Sequence, residues 1–144
     1  MVHDRPLDEL APRVLYRILR LRAQVFVVEQ TCVFLEPDGR DLEPACRHLW
    51  IAGDDDDVIA AARVLDDGDA RRIGRIVTAE AHRRRGLATQ LVQHFLDRYR
   101  GPWVLDGQAH LAGWYRRFGF EVSGPEYLDD GILHVPMRRE LSAG

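Results

Sequence analysis

The sequence has little of what marks several common classes of protein. Only two of its 144 residues are cysteines, Cys32 and Cys46, which are too few and too far apart for a zinc ribbon or a CxxC redox site. No segment approaches the roughly 18 apolar residues that a membrane-spanning helix requires. Residues 1–6 are polar and charged, so we expect no secretory signal and, by default, a cytoplasmic protein.

Lysine is absent as well, and the balance of charge is slightly acidic. The 20 Lys-or-Arg positions are all arginine and face 23 acidic residues, which gives a net charge of −3 and a pI near 6.1. Proteins that coat nucleic acid or anionic membranes carry an excess of positive charge, so neither is expected as a partner. The length suits a single domain, residues 1–144, and an isologous homodimer is the default expectation for its assembly.

Apolar residues recur in patterns that predict three helices and six strands. Leu7, Leu10, Val14 and Ile18 lie three or four residues apart, as on one face of a helix. In chain order we predict a helix at 7–25, a long loop at 29–47, an antiparallel meander of strands at 48–52, 58–65 and 72–78, a helix at 82–99, a strand at 103–106, a helix at 110–118, and strands at 120–123 and 132–137. The four aspartates at 54–57 are typical of a solvated turn rather than a metal site.

The most informative stretch is residues 75–89, where a predicted strand is followed by a helix that opens with three arginines and a glycine. The unpaired N–H groups and the positive dipole end of a helix start make a ready site for a pyrophosphate. Gly86 leaves room for a phosphate, and Arg83, Arg84 and Arg85 can donate charge-assisted hydrogen bonds to its oxygens. A solvated basic turn with a helix-packing glycine is the alternative, because chance also produces such a pattern.

A second motif, residues 114–120, ends the last predicted helix and begins the next strand. It reads Trp-Tyr-Arg-Arg-Phe-Gly-Phe, and its tyrosine is Tyr115. Together the two stretches resemble the acetyl-CoA-binding motif and the aromatic-Tyr-x-x-x-Gly-Phe signature of the GCN5-related N-acetyltransferase (GNAT) superfamily. Arg83, Gly86 and Ala88 match the first motif, Arg/Gln-x-x-Gly-x-Gly/Ala. Apart from this resemblance, a helix tyrosine such as Tyr115 is usually half-buried with a backbone partner for its hydroxyl.

A closer resemblance, to the ElaA-like branch of GNAT proteins, covers most of the chain. It rests on residues 22–30, 38–42, 47–49, 108–111 and 130–134. The resemblance implies an α/β GNAT acyl-CoA N-acyltransferase fold, in which a mixed, mostly antiparallel central sheet is flanked by helices. The N-terminal strand usual in the superfamily has only a short, polar counterpart here. The implied activity is acetyl transfer from acetyl-CoA to an amine, without a settled substrate.

The resemblance also implies roles for residues around the cofactor. It makes Tyr115 the general acid that protonates the departing CoA thiolate, whose free thiol has a pKa of about 8.5 against about 10 for a phenol. Strand 75–78 is expected to splay from strand 103–106 and to bond pantetheine through its backbone. Gln108 stands where many members have Asn. The expected acetyl-CoA contacts are Ile76, Val77, Arg83, Arg84, Arg85, Gly86, Leu87, Ala88, Thr89 and Gln108.

The acceptor side of the site carries weaker signals. An alkyl ammonium has a pKa near 10.4, so a base must remove its proton before the amine attacks. The candidate bases are His48, His110, His134, Glu29 and Glu80. We favour His110, which lies one helical turn before Tyr115, and next His48. Segment 26–41 is the expected wall of the acceptor site, with Phe26, Glu29, His48 and His134 as substrate contacts, and no metal is expected.

Three classes of function stay open at this point. The leading one is an enzyme that joins an acyl group to a primary amine by direct attack, since neither cysteine lies beside an obvious activating base for an acyl-cysteine route. The second is a non-catalytic acyl-CoA-binding or protein-interaction module on the same fold, which would have no need of an acid such as Tyr115. The third, a nucleotide-binding α/β domain, ranks last because Gly-x-Gly-x-x-Gly and Gly-x-x-x-x-Gly-Lys are both missing.

Overall fold

A computed structural model gives the structure of the protein and describes residues 1–141. Within that range an eight-stranded sheet carries helices on both faces. The strands are β1 (His3–Pro6), β2 (Arg47–Ala52), β3 (Val58–Asp66), β4 (Arg71–Thr78), β5 (Trp103–Gln108), β6 (Glu121–Val122), β7 (Tyr127–Asp129) and β8 (Ile132–Arg139). The helices are α1 (Pro12–Arg22), α2 (Leu87–Arg98) and α3 (Ala112–Arg116), and α1 continues as a π-helix over Ala23–Glu29.

The strands lie in the order β1-β2-β3-β4-β5-β8-β6, and β7 pairs with β8. β4 and β5 run parallel, whereas the other pairs described for residues 1–141 are antiparallel. A parallel pair needs a crossover connection, which α2 supplies. The expected fold class, a mixed and mostly antiparallel sheet flanked by helices, is confirmed, and so is the meander formed by β2, β3 and β4.

Two apolar cores lie on opposite faces of the sheet. Leu91 and Phe95 of α2 are fully buried in one of them. Ile18 and Leu21 of α1 pack in the other, together with Ala61 of β3. Strand β3 contributes residues to both cores, which explains why it is buried along almost its whole length. None of the helices in the described part of the chain combines the length and the apolar character that crossing a membrane requires.

The predicted helix limits were wrong at several ends, for local backbone reasons. Pro12 occupies the first turn of α1, a favoured position for proline, and residues 7–9 form a separate 3-10 turn. Helix α2 begins at Leu87 rather than at residue 82, because Arg84 (φ 63°) and Gly86 (φ 75°) adopt left-handed conformations that a helix excludes. Helix α3 is shorter than predicted, since residues 109–111 form a 3-10 turn before it.

The short strands account for the remaining differences. β1 has four residues and confirms the brief, polar N-terminal strand. β7 was missed, because its three residues are all exposed and leave no alternation of apolar and polar positions to detect. The four aspartates at 54–57 form an exposed turn between β2 and β3, as predicted.

A buried network of ions fixes the long loop at residues 30–46. Arg22 at the end of α1 is 1% exposed and donates to both carboxylate oxygens of Glu36, at 2.5 and 3.0 Å, and of Asp41, at 2.8 and 3.0 Å. Arg63 of β3 donates to both oxygens of Asp38, at 2.8 and 2.6 Å. Burial raises the pKa of Asp41, but the bonds from Arg22 outweigh it and hold that pKa below its usual value. The loop is therefore positioned by paired charges.

The network predicts the effect of removing its central cation. Arg22→Met leaves the carboxylates of Glu36 and Asp41 buried without their main partner, so we expect the free energy of unfolding to fall by about 3–5 kcal/mol. The control is Arg20→Met, which removes an exposed arginine from the same helix and should change it by less than about 0.5 kcal/mol. Urea unfolding measures both, and similar losses for the two variants would contradict the assigned role.

Candidate active site

Strands β4 and β5 separate soon after they meet. They pair only at Arg71 with Trp103 and at Arg72 with Val104. Farther along, β4 contains one extra residue against β3, because Ala61 pairs with Val77 while Arg63 pairs with Gly74. This bulge includes Arg75, whose φ of 51° is left-handed. The bulge turns the end of β4 away from β5 and opens a gap in the middle of the sheet.

The guanidinium group of Arg75 holds the bulge against the long loop. Its Nε lies 3.1 Å from Glu36 Oε1, and its Nη2 donates to the carbonyl oxygen of Glu36 at 3.0 Å. Glu36 is also the partner of Arg22, so the strand, the loop and α1 meet at one buried carboxylate. The side chain of this left-handed residue thus lies against the long loop.

On one side of the gap lies the outer cleft, which is bordered by the end of β4, the start of α2 and the start of α3. Its volume is about 680 Å³. Nine of the ten residues expected to contact the cofactor line it: Ile76, Val77, Arg83, Arg84, Gly86, Leu87, Ala88, Thr89 and Gln108. Gly86 is at the start of α2, and a Cβ atom placed there would meet no protein atom within 4 Å. The helix start is therefore open to a ligand.

The arginines before α2 differ in their contacts. Arg85 does not line the outer cleft, and its Nη1 donates to His82 Nδ1 at 2.7 Å. Arg83 is exposed and donates to Glu29 Oε2 at 2.6 Å and to the carbonyl of Thr78 at 3.2 Å. Arg84 lines the cleft. Arg83 and Arg84 therefore both border the cleft, and Arg83 is shared with a carboxylate.

On the other side of the gap lies the inner cavity, of about 140 Å³. It is bordered by the bulged part of β4, the end of β5, the long loop and the β7–β8 hairpin. Six residues border both the outer cleft and the inner cavity: Phe26, Gln30, Ile76, Gln108, Leu111 and Tyr115. The two spaces therefore meet in the gap between the strands, beside Tyr115.

Tyr115 is held firmly at this junction. It is 7% exposed, and its ring contacts those of Trp114 and Phe120 edge to face, with centroids 5.0 and 6.4 Å away. Gly107 of β5 lies so close to the ring that a Cβ atom there would be 2.7 Å from Tyr115 Cε2. Burial raises the pKa of Tyr115 to about 12, so the hydroxyl keeps its proton at neutral pH.

The acceptor-side predictions fall in different places. Phe26 borders both spaces and Glu29 the outer cleft. His134 lines the inner cavity, and its Nδ1 is 2.8 Å from the carbonyl oxygen of Ile132. His110 is exposed at the outer cleft. Glu80 is exposed and lines neither space.

His48 needs a correction. The hypothesis that it contacts the acceptor or acts as its base is not compatible with its position, since it is fully buried in β2 and lines neither space. Its Nε2 faces Cys46 Sγ at 3.7 Å and the carbonyl oxygen of Asp41 at 3.4 Å. Burial lowers the pKa of His48, which favours its neutral form. His48 is thus part of the support beneath the long loop.

Asp41, Cys46 and His48 also bring three metal-ligand types within 4.8 Å of one another. The environment does not suit a cation, however, because both carboxylate oxygens of Asp41 already accept hydrogen bonds from Arg22. Arg63 Nη1 lies 3.3 Å from the same carboxylate. Burial raises the pKa of the Cys46 thiol to about 11, so the thiol stays protonated. The contacts are those of a hydrogen-bonded structural cluster.

Several residues of the inner cavity were not singled out from the sequence: Gln30, Cys32, Phe34, Asp106, Leu111, Asp129 and Asp130. The first three do belong to the segment 26–41 that was expected to form the acceptor wall. Asp106 and Asp129 line the same cavity because β5 and β7 flank β8 on opposite sides. No local spacing contains that information.

Comparison with known proteins places this site in a family. The model of the "Acetyltransferase (GNAT) domain" family matches residues 40–141. The chain is 41% identical over 136 residues to UPF0039 protein Rv2851c of Mycobacterium tuberculosis, covering 91% of this chain and 87% of that protein. It is 38% identical over 142 residues to protein ElaA of Escherichia coli, covering 93% and 92%. The chain therefore belongs to the GNAT acetyltransferase family.

Solved structures narrow the relationship. The crystal structure of Escherichia coli ElaA matches with a TM-score of 0.88 and 36% identity, covering 97% of this chain and 99% of that one. An acyl-CoA N-acyltransferase from Pseudomonas aeruginosa matches with a TM-score of 0.88 and 37% identity, covering 96% and 98%. An aminoglycoside 6'-N-acetyltransferase, 12% identical with a TM-score of 0.71, shares the fold alone. Within the GNAT family this chain is of the ElaA-like branch, and family and fold support an acyl-CoA-dependent N-acyltransferase in general.

The close contact between Gly107 and Tyr115 predicts that two glycine-to-alanine variants have opposite effects on stability. Gly107→Ala forces the buried ring to shift, so the free energy of unfolding should fall by about 1–3 kcal/mol. Gly113→Ala, in α3, meets no atom within 4 Å and should stabilise the protein by about 0.5–1 kcal/mol, since alanine favours a helix. Urea unfolding measures both, and a Gly107→Ala protein as stable as the parent would refute the tight contact.

Proposed function

We propose that the protein is an N-acetyltransferase that transfers an acetyl group from acetyl-CoA to a primary amine by direct attack. The observation that carries the proposal is the meeting of the outer cleft and the inner cavity at Tyr115. A thioester held in the outer cleft and an amine held in the inner cavity would face each other through the gap between β4 and β5. The geometry requires no acyl-enzyme, and both cysteines are buried and free.

Two features of the outer cleft suit CoA: the start of α2 and the unpaired backbone of β4. The pyrophosphate would bind the open N–H groups at the start of α2, with Arg84 beside it. Past Arg72, β4 has no ladder partner on the β5 side, so the backbone at Ile76 and Val77 can bond the amides of pantetheine. An N–H group of this segment can also polarise the thioester carbonyl and stabilise its oxyanion. The aminoglycoside 6'-N-acetyltransferase that shares this fold has been solved with coenzyme A bound.

The chemistry needs one base and one acid. The ammonium loses its proton, for which we propose His110, and the free amine attacks the thioester carbon. Because His110 lines the outer cleft and not the inner cavity, the proton would reach it through water. The carbon–sulfur bond then breaks, the sulfur leaves with the electron pair, and the nitrogen loses its second proton to solvent, which leaves a neutral amide. Tyr115 donates a hydrogen bond and then its proton to that sulfur, and solvent restores the proton to the phenolate. Because the pKa of Tyr115 is near 12, its proton is in place at every pH at which the enzyme would work.

Other sequence-based expectations stay predictions. They are a single domain over residues 1–144, a cytoplasmic location, a homodimer, and the absence of nucleic acid, membrane and metal among the partners.

The first test is cofactor binding. Isothermal titration with acetyl-CoA should show one site, and Gly86→Glu should weaken binding about tenfold or more, because a carboxylate would then meet the pyrophosphate. Gly68→Glu is the matched control: its φ of 90° imposes a similar backbone strain in the β3–β4 turn, away from the cleft. A folded parent protein that binds no acetyl-CoA would refute the proposal.

The second test concerns the acid. Tyr115→Phe should lower kcat about 100-fold while the affinity for acetyl-CoA stays close to that of the parent, because only the hydroxyl is lost. Tyr16→Phe removes a hydroxyl from a tyrosine that is 70% exposed on α1 and should leave kcat unchanged. Release of free CoA thiol measures the rate. Normal turnover in Tyr115→Phe would remove Tyr115 from the mechanism, whereas binding without turnover in the parent protein would favour an acyl-CoA-binding module.

A further inference from the structure

The charged side chains of the inner cavity are mostly acidic. Asp106, Asp129 and Asp130 line it, and Arg75 is the one arginine among its described lining residues. Two of these four charges are already paired with other residues. Arg75 contacts Glu36 and Asp38, and Asp106 contacts Arg72. Asp129 and Asp130 make no ion pair with residues 1–141 and are exposed to the cavity mouth. The cavity therefore presents two uncompensated negative charges to an acceptor.

A polar group inside the cavity also lacks a partner. Tyr115 is more than nine-tenths buried, and burial alone accounts for its raised pKa, without a contribution from a hydrogen bond or charge in the described chain. The hydroxyl-bearing ring borders both ligand-accessible spaces, so a bound molecule can supply the partner that residues 1–141 do not. This observation is independent of the two aspartates.

The sheet register sets the separation of these features. Gly107, on which the Tyr115 ring packs, pairs with Val135 of β8, and Asp129 pairs with Ile132 three residues away on the same strand. At roughly 3.3 Å per residue the two levels are about 10 Å apart along β8, and β5 and β7 lie on opposite sides of β8, about 10 Å apart across it. Both sets of side chains line the same cavity, so an amine near Tyr115 and a cation near the two aspartates would lie at opposite ends of an extended alkyl chain.

The hairpin turn that carries the aspartates is held in place. Asp130 (φ 50°) and Gly131 (φ 81°) are left-handed, as a tight turn requires. The thiol of Cys32, in the long loop, donates to the carbonyl oxygen of Asp130 at 3.0 Å. The two carboxylates thus keep their position relative to the loop that forms the opposite wall.

From these features we propose that the acceptor is a linear, flexible diamine. One amino group is acetylated beside Tyr115, and the second, as an ammonium ion, is bound by Asp129 and Asp130. The volume of about 140 Å³ is close to the roughly 150 Å³ of a cavity that holds benzene, so a slender alkyl chain fits it. The inference rests on the proposed acetyltransferase activity.

The first experiment compares acceptors that differ in one charge. Acetyl-CoA is supplied with α,ω-diaminoalkanes of three to eight carbons and with n-alkylamines of the same lengths, and CoA thiol release is followed at low salt. At the best chain length, we expect kcat/KM for the diamine to exceed that for the monoamine of the same length by about fivefold or more. This advantage should shrink at higher salt, because salt screens the exposed charges. Equal rates for the diamines and the monoamines would overturn the inference.

The second experiment removes the proposed charges. Asp129→Asn and Asp130→Asn keep the side-chain shape, and Asn tolerates the left-handed backbone at residue 130. Each should lower kcat/KM for the best diamine about two- to fivefold, and the double variant further, with little effect on the monoamine. Glu126→Gln is the matched control, because it removes an exposed acidic charge nearby that does not line the cavity.

The outcomes separate this inference from the proposed function. If acetyl-CoA binds and a bulky amine or a lysine peptide is acetylated while diamines are not, the diamine assignment is wrong and the acetyltransferase activity stands. Equal losses for the diamine and the monoamine in the aspartate variants would likewise remove the second-charge contact. If acetyl-CoA itself does not bind, both proposals fail.

Discussion

The buried carboxylate of Glu36 is the contact on which the site depends. It accepts hydrogen bonds from Arg22 at the end of α1 and lies 3.1 Å from the guanidinium of Arg75 in the β4 bulge. The bulge separates β4 from β5, and the separation creates both the outer cleft and the inner cavity. Ionic groups out of water interact strongly, and removing one leaves the others uncompensated. A single carboxylate therefore couples the helix, the loop and the bulged strand.

The sequence allowed much of the fold to be predicted, because the long elements have clear periodicity. Strands β2, β3 and β4 and the position of α2 follow from local patterns of apolar residues. The start of α2 did not, since whether Arg84 takes a left-handed conformation is decided by the turn it must make and not by its own preference. β7 escaped notice because three exposed residues are held as a strand only by pairing with β8.

The candidate site was predictable in part, for a related reason. The residues around Gly86 are contiguous, so the cofactor side could be read from one stretch, and nine of ten expected residues line the outer cleft. The inner cavity is assembled from four separate segments, and strand order places its aspartates in one lining. His48 shows the limit of the approach: a histidine at a strand start has no sequence mark that tells which face of the sheet it will occupy.

The inner cavity draws its lining from Phe26 near the start of the chain and from His134 near its end. Contacts between segments so far apart in sequence form late, because the entropy of closing the intervening chain must be overcome first. On the ribosome the central strands and α2 can associate while β8 is still being synthesised. The inner cavity, however, lacks the part of its lining that β8 contributes until β8 pairs with β5. A nascent chain can therefore have the outer cleft before it has the inner cavity.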